Sequence, residues 1–266
     1  MLDRKEIEAG LRTTRIGRSL HVFDSIGSTN AVARSLAEEG AADGTVVLAE
    51  HQTAGRGRLG RSWIARPGEN LLLSVLLRPL LPAPRLPLLT FCASLAAADA
   101  VASVTGLRPA VKWPNDLLLN DRKFCGILLE SALGPTEPSW TVIGIGINVN
   151  QHDFPDDLRS PATSLANETG ATVDRIALCC SLLGALEHWE QCLRHEGSAT
   201  VVDAWRSRSR MFGRQVSLFQ GETRREGIAQ DLAADGGLII RFATGVETVH
   251  AGDVSLTMPF APSGGV

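Results

Sequence analysis

The stretch with the clearest chemical content is residues 52–63, in which glycine and arginine are interspersed. Its notable members are Gln52, Gly55, Arg56, Gly57, Arg58, Gly60, Arg61 and Trp63. Glycine lets backbone N–H groups approach a ligand closely, and arginine offers a fixed fork of donors that matches carboxylate and phosphate oxygens. The pattern predicts a loop that binds an anion. The alternative is a surface loop without a ligand.

The same glycines also fit the G-x-G-x-x-G spacing of a dinucleotide-binding turn, which would make the protein a nicotinamide-dependent oxidoreductase. That motif requires a helix that opens at its last glycine, here Gly60. Pro67 and Gly68 follow too soon for such a helix, since proline interrupts helical hydrogen bonding. The dinucleotide interpretation is therefore disfavoured.

Three further segments carry groups that suit a small ligand. They are Lys112-Trp113-Pro114-Asn115-Asp116, Lys123-Phe124-Cys125-Gly126-Ile127-Leu128 and Gly144-Ile145-Gly146-Ile147-Asn148. Alternate residues of a strand share a face, so Gly144 and Gly146 leave room for something thin to lie against the backbone. Each segment also has an ordinary explanation: a turn, a surface lysine, or glycines for close packing. Their combination favours a binding site.

These segments, taken in order, resemble a known family. Ser28-Thr29-Asn30 comes first, then Gln52 with the loop 55–61, then the three segments above, and this order is similar to that of the biotin protein ligases. The resemblance is close from about residue 21 to 150 and looser beyond. It implies an enzyme that uses ATP to join biotin to a lysine of a biotin carboxyl carrier protein, through biotinyl-5′-AMP, with release of pyrophosphate and then AMP.

The resemblance also implies roles for individual residues. The expected catalytic residues are Lys123, Arg58 and Asp116, with Asp116 orienting or deprotonating the acceptor amine. The expected biotin-binding residues are Ser28, Thr29, Asn30, Gln52, Gly55, Arg56, Gly57, Arg58, Lys123, Gly126, Leu128, Gly144 and Gly146. The expected ATP or adenylate set is Arg58, Arg61, Trp63, Lys112, Asn115, Lys123 and Asn148. Asp116 and Asn148 are candidate magnesium ligands, because Mg²⁺ prefers oxygen donors.

Ligands and partners follow from the same resemblance. ATP, biotin as a substrate and Mg²⁺ are expected. The acceptor is expected to be a biotin carboxyl carrier protein of acetyl-CoA carboxylase or of another biotin-dependent carboxylase or decarboxylase. Ser28, Thr29 and Gln52 offer donors and acceptors to the ureido ring, whose plane is expected over Gly144 and Gly146. A homodimer is expected from the family alone.

Two alternatives share part of this pattern. A lipoate-type ligase would have the same fold and the same adenylating logic, but the Gly-Arg-Gly-Arg loop and the Lys-Trp-Pro-Asn-Asp segment favour biotin. A biotin-operon repressor carries an N-terminal helix-turn-helix. Only about 20 residues precede the region of resemblance, so we expect the form without an N-terminal DNA-binding domain.

Composition limits the possible partners of the protein and its possible location in the cell. The 266 residues carry a net charge of −3, so we expect no general attraction to nucleic acid or acidic membranes. Five cysteines, without paired C-x-x-C spacing, predict reduced core residues in a cytoplasmic protein. The N-terminus lacks an apolar signal sequence, and charges and prolines interrupt the most apolar runs, so no membrane span is expected.

The elements that must position these groups can be predicted in outline. A short amphipathic helix is predicted after Ser28-Thr29-Asn30, ending near Gly40, and further helices at 86–105, 173–195 and 198–209. Strands are predicted at 45–50, 70–78, 108–113, 116–120, 123–132 and 140–149, with a hairpin turn at Asn120-Asp121-Arg122. This mixture predicts an α+β fold with a mixed, largely antiparallel sheet.

From about Gly213 the pattern changes to short strands separated by glycine and aspartate turns. A small all-β module of this length is only marginally stable alone, so we expect it to pack against the larger part. By the resemblance, this module is an SH3-like barrel. The expected domains are a catalytic biotin- and ATP-binding domain at 1–211 and the SH3-like domain at 212–266.

Overall fold

The structure, a computed structural model, describes residues 1–78, 81–133, 138–155 and 161–256. A seven-stranded sheet with helices packed on it forms the first and larger part. Its elements are α1 (Arg4–Gly10), β1 (Leu20–Ile26), α2 (Thr29–Glu38), β2 (Val46–Gln52), β3 (Leu71–Leu77), α3 (Pro87–Thr105), β4 (Ala110–Lys112), β5 (Asp116–Leu119), β6 (Arg122–Leu133), β7 (Pro138–Ile147), α4 (Leu165–Thr169), α5 (Arg175–His195) and α6 (Ser198–Arg208).

The strand order in this sheet is β1-β2-β3-β7-β6-β5-β4. β1 and β2 are parallel, and every other neighbouring pair is antiparallel. The predicted α+β fold with a mixed, largely antiparallel sheet is therefore confirmed. Long strands β6 and β7 pair in the middle, with Gly126 directly opposite Gly146. The glycines of two separate motifs thus become neighbours on one face.

Helix α3 forms the centre of the helical layer, between the sheet and α5 and α6. Its alanine-rich sequence is buried on nearly all sides, which explains why it lacks a polar face. The segment Ala83–Thr105 is long and apolar enough to cross a membrane, but 67% of its most apolar window is buried inside the protein. The core of the molecule accounts for its apolar character.

A second, five-stranded antiparallel sheet follows α6. Its strands are β8 (Gln215–Gln220), β9 (Thr223–Leu232), β10 (Leu238–Phe242), β11 (Gly245–Val249) and β12 (Asp253–Leu256), in the order β11-β10-β9-β8-β12. This sheet is the expected SH3-like module. It packs against the larger part, where the indole Nε1 of Trp113 donates to the carbonyl oxygen of Gly236 at 3.1 Å.

Four short elements were not predicted from the sequence: α1, β1, α4 and β12. Helix α1 has only seven residues and depends on the Asp3 carboxylate, which accepts from two backbone N–H groups of its first turn. Strand β1 lies at the sheet edge, and of its residues only Leu20 is fully buried, so its sequence shows no clean alternation of apolar and polar residues.

The predicted hairpin at Asn120 and Asp121 is present, and both residues have the positive φ of a tight hairpin turn.

The ring of Phe91 on α3 stacks on Trp205 of α6 at 4.6 Å between centroids, and both rings are buried. We expect Phe91→Ala to lower the free energy of unfolding by about 3–5 kcal/mol, because it leaves a cavity between the two helices. Urea unfolding followed by circular dichroism measures this change. Leu59→Ala, at a side chain that is 67% exposed, is the control and is expected to change it by less than about 0.5 kcal/mol. Similar values for the two variants would contradict the assignment of Phe91 to the core.

Candidate active site

A cleft of about 1020 Å³, its open mouth included, lies between the sheet and the C-terminal module. β6 and β7 form one wall, the loop 53–63 covers it, and the start of α2 and the start of β12 close its sides. All predicted site residues except Gly55 and Asn148 line this cleft. Groups from five predicted segments of the sequence (28–30, 52–63, 112–116, 123–128 and 144–146) therefore meet in one place.

The glycine- and arginine-rich loop folds back on itself. The N–H of Gly57 donates to the carbonyl of Arg61 at 2.7 Å, and the N–H of Trp63 donates to the carbonyl of Gly55 at 3.0 Å. The turn between them passes through Leu59 and Gly60, both with positive φ. Gly55 thus holds the loop closed from outside the cleft. The chain after Gly60 is extended and not helical, so the context that a dinucleotide-binding turn requires is absent here.

Side chains of the protein itself cover the glycines of β6 and β7. A Cβ atom on Gly146 would lie 2.6 Å from the indole of Trp63, and one on Gly126 would lie 2.8 Å from the same ring. A Cβ atom on Gly144 would lie 2.2 Å from Oδ1 of Asn30. The placement of a ligand ring over Gly144 and Gly146 stays a prediction, and in this structure side chains of the protein lie over both glycines. Asn30 and Trp63 lie there, and Trp63 forms this wall of the cleft.

Buried polar side chains connect the start of α2 to the sheet. The Gln52 Oε1 atom accepts from the N–H of Thr29 at 2.7 Å and lies 3.0 Å from its hydroxyl oxygen. Ser74 Oγ lies 2.7 Å from Thr29 Oγ1 and 2.6 Å from Asn30 Oδ1, and Asn30 Nδ2 donates to Glu130 at 2.6 Å. Sequence reasoning missed Ser74 and Glu130. A serine within the otherwise apolar strand Leu71–Leu77 was a signal that could have revealed Ser74.

Ser28 occupies the N-cap position of α2, but its side chain makes no capping hydrogen bond. Because Ser28 is nearly buried and lines the cleft, its hydroxyl is available to a ligand.

Asp116, on β5, joins two lysines on the strands to either side of it, β4 and β6. Its carboxylate lies 2.5 Å from Nζ of Lys123 and 3.6 Å from Nζ of Lys112. Lys123 Nζ also lies 5.6 Å from the ring centroid of Trp63, within reach of a cation–π contact. This arrangement holds two ammonium groups at one side of the cleft, with one carboxylate between them.

The C-terminal module supplies an acidic partner that the sequence analysis did not predict. Arg58 donates to Asn115 Oδ1 at 3.1 Å, to Asp253 Oδ1 at 3.2 Å and to the carbonyl of Gly252 at 3.1 Å, and Arg61 pairs with the same Asp253 carboxylate. Burial lowers the pKa of the Arg58 guanidinium, and Asp253 acts in the opposite direction. No local pattern joins Arg58 to a residue almost 200 positions away, so this contact was not predictable.

The balance of charge in the cleft is positive. Its described lining contains five cations, Arg56, Arg58, Arg61, Lys112 and Lys123, and two carboxylates, Asp116 and Asp253. Such an excess in a partly enclosed site favours an anionic ligand, since the surroundings screen the charges less than bulk water does. The described lining of the cleft contains neither cysteine nor histidine. Cys125, on β6, is fully buried, and burial strongly raises the pKa of its thiol.

A second pocket lies on the other side of Trp63, lined in part by Arg61, Lys123 and Asn148. Asn148 is 5% exposed, and its Nδ2 donates to the carbonyl of Thr163 at 3.0 Å. Its Oδ1 and the indole Nε1 of Trp63 are buried without a hydrogen-bond partner among the described residues. Buried polar atoms are normally paired, so these two atoms indicate the place of a polar ligand.

The donor set does not fit a metal held by the protein alone. Among the described residues, no group of three or more His, Cys, Asp or Glu side chains could hold a metal ion. The Asp116 carboxylate, one of the two predicted ligands, already contacts Lys123 and Lys112. Asn148 offers a single oxygen. One paired carboxylate and one amide oxygen leave most of the octahedral shell of Mg²⁺ to phosphate oxygens and water.

Comparison with known proteins agrees with the motif order. Residues 22–148 match the biotin/lipoate A/B protein ligase family, and residues 211–257 match the biotin protein ligase C-terminal domain. The chain is 38% identical over 258 residues to a biotin–[acetyl-CoA-carboxylase] ligase of Mycobacterium tuberculosis, covering 93% of this chain and 94% of that protein. It is 34% identical to the bifunctional ligase/repressor BirA of Bacillus subtilis, covering 96% of this chain and 79% of that protein.

The fold leads to the same family. A solved biotin protein ligase from Aquifex aeolicus, in complex with biotin and ATP, superimposes with a TM-score of 0.78 at 29% identity, covering 90% of this chain and 99% of that one. Family models, sequence relatives and structure therefore agree along most of the chain. The protein belongs to the biotin protein ligase family.

Proposed function

We propose that the protein uses ATP to attach biotin to a lysine of a biotin carboxyl carrier protein. In the first step, a biotin carboxylate oxygen attacks the α-phosphorus of ATP and pyrophosphate leaves. In the second step, the lysine amine attacks the carboxyl carbon of biotinyl-5′-AMP and AMP leaves. The observation that carries this proposal is the convergence of five cations on one cleft with a closed glycine-rich loop.

The first step brings two anions together, so their repulsion must be neutralised. Preorganised cations in a site that excludes water do this most effectively. Arg58 and Lys123 are our candidates for the carboxylate and the α-phosphate. Arg58 is held by Asn115 and Asp253, and Lys123 by Asp116, which supports a fixed geometry for both charges. Arg61 and Lys112, at the edges of the same cluster, would meet the outer phosphates.

The biotin end of the cleft would be the side nearest α2. Ser28, Thr29 and Gln52 present hydroxyl and amide oxygens there, which suits a ureido ring. Arg56 and Gly57 belong to the loop above it. Leu128 adds an apolar surface in the same cleft.

The nucleotide would extend to the other side of Trp63. The unpaired Oδ1 of Asn148 can accept from an N–H group of a base, and the Trp63 ring offers a surface for stacking. Magnesium would enter as part of MgATP, held by the phosphates and water. We derive no step from a metal bound by Asp116 or Asn148.

Asp116 is our candidate for the second step. Once the anhydride has formed, its carboxylate would be the nearest acidic group able to orient the attacking amine or take its proton. The contacts that Asp116 makes to Lys123 and Lys112 support a position next to the reacting phosphate.

Other parts of the proposal rest on the family and on composition. We propose residues 1–211 as the catalytic domain and 212–266 as the SH3-like domain, a homodimer in solution, and a cytoplasmic location. All five cysteines are free, which supports a reducing compartment. Biotin-dependent exchange of labelled pyrophosphate into ATP, with lipoate as the competing acid, tests the reaction. Exchange with lipoate and not with biotin would contradict it in favour of a lipoate-type ligase.

We expect Lys123→Ala to reduce biotin-dependent pyrophosphate exchange by about 10²–10³-fold at saturating substrates, because one charge-stabilising group of the transition state is lost. The control is Lys5→Ala, at an exposed lysine of α1 that does not line the cleft. This control is expected to leave the exchange rate unchanged. Near-normal exchange by the Lys123 variant, with folding intact by circular dichroism, would remove this residue from the mechanism.

We expect Gly146→Ala to weaken biotin binding at least about tenfold, because the new methyl group would collide with the Trp63 ring and displace the wall of the cleft. The matched control is Gly184→Ala on α5, where a Cβ atom meets nothing within 4 Å. This control is expected to bind biotin normally and to be slightly more stable, since alanine favours a helix. Calorimetric titration of both variants measures the difference, and equal affinities would show that the close contact of Gly146 with Trp63 does not shape the cleft.

A further inference from the structure

Two segments beside the cleft are joined to each other by buried side chains. The first segment, residues 64–70, follows the glycine- and arginine-rich loop and leads into β3. The second segment, residues 148–155, follows β7. Ile64 of the first segment and Phe154 of the second both line the second pocket, beyond Trp63. The shape of that pocket therefore depends on how closely the two segments are held together.

Gln151 makes three hydrogen bonds at this junction, and its side chain is almost completely buried. Its Oε1 accepts from the backbone N–H of Arg66 at 3.0 Å and from Nδ2 of Asn70 at 2.8 Å, both in the first segment. Its Nε2 donates to the carbonyl of Asp153 at 2.8 Å, in its own segment. A backbone N–H only donates and a carbonyl only accepts, so these contacts fix the orientation of the amide.

The bases of the two segments are joined as well. Asn70 is fully buried, and its Oδ1 accepts from the N–H of Val149 at 3.0 Å, so its Nδ2 faces Gln151. The N–H of Asn150 donates to the carbonyl of Glu69 at 2.8 Å. Gln151 extends this connection from the bases to the N–H of a residue only two positions after Ile64.

An exposed ion pair crosses between the same segments. Arg66 Nη2 lies 3.0 Å from Asp153 Oδ2, and the two side chains are 52% and 75% exposed. Exposed ion pairs contribute little to stability. The loss of a buried hydrogen bond costs more, because it leaves unpaired polar groups without water. The connection therefore depends on the Gln151 amide more than on the ion pair.

The geometry points to Gln151 as a positioning residue that holds the two segments together before a nucleotide binds. This inference rests on the proposed function, in which the nucleotide extends beyond Trp63. Gln151 lines neither the cleft nor the second pocket and acts through Ile64 and Phe154. Because the segments are already joined in the free protein, nucleotide binding does not bear the cost of bringing them together.

Gln151→Met keeps the length of the side chain and removes all three hydrogen bonds. We expect the KM for ATP in biotin-dependent pyrophosphate exchange to rise about tenfold, because ordering of the segments is then left to the nucleotide. The KM for biotin and the kcat are expected to change less than about twofold, since the variant removes no group that meets biotin or the reacting atoms. Labelled biotinyl-5′-AMP, followed after dilution without carrier protein, is expected to dissociate about tenfold faster.

Asp153→Asn is the matched control. It removes the ion pair with Arg66 and keeps the backbone carbonyl that accepts from Gln151. Both KM values are expected to stay within about twofold of the wild type. A rise in the KM for ATP as large as that of Gln151→Met would assign the connection to the ion pair and overturn the inference.

Hydrogen exchange in the ligand-free protein follows the junction directly. The N–H of Arg66 is expected to exchange slowly in the wild type and at least about tenfold faster in Gln151→Met, because its acceptor is removed. The N–H of Gly57, which donates to the carbonyl of Arg61 within the loop, is expected to exchange equally in both proteins. Unprotected exchange of the Arg66 N–H in the wild type overturns the inference without reference to any variant.

An unchanged KM for ATP in Gln151→Met also overturns the inference. So does an equal rise in the KM values for ATP and biotin with a lower melting temperature, which would be a general structural effect. The proposed function fails in a different way, because the wild type would then catalyse no biotin-dependent pyrophosphate exchange.

Discussion

The site depends on holding five cations close together against their mutual repulsion. They are Arg56, Arg58, Arg61, Lys112 and Lys123. Each is paired with a carboxylate: Asp116 contacts the two lysines, Asp253 contacts Arg58 and Arg61, and Glu130 contacts Arg56. Unpaired cations in a partly buried cleft would destabilise the fold. The carboxylates therefore allow the cleft to exist without a ligand, and their number leaves the excess of positive charge that attracts one.

The sheet and the C-terminal module contribute to this balance in different ways. The lysine cluster arises from neighbouring antiparallel strands, where Lys112 pairs directly with Asp116 in the register of β4 and β5. The arginine cluster depends on a loop and on the first residue of β12, which come together only when the module packs on the larger part. Neighbouring strands of one sheet hold the lysines, while the arginines rely on the relative position of two different sheets.

This difference also explains what the sequence could predict. Local spacing and the resemblance identified the loop, the Lys-Trp-Pro-Asn-Asp segment and the glycines, and they predicted the α+β fold correctly. Asp253, Ser74 and Glu130 were missed because each acts through a contact with a distant segment. The glycines of β7 were recognised as a place of close approach, but the sequence does not say what approaches. Asn30 and Trp63 answer that question only in the folded structure.

An anion that enters this cleft must replace ion pairs that already exist within the protein. Phosphate oxygens that approach Arg58 and Arg61 compete with the Asp253 carboxylate. The two arginines are not equivalent in this competition. The Arg61 side chain is 43% exposed and pairs with Asp253 alone among the contacts described, so this ion pair contributes little and is easily exchanged. Arg58 is 23% exposed and is also held by Asn115 and the carbonyl of Gly252. Arg58 can therefore keep its position while the partner of Arg61 changes, which makes it the better fixed of the two charges for a reaction that requires constant geometry.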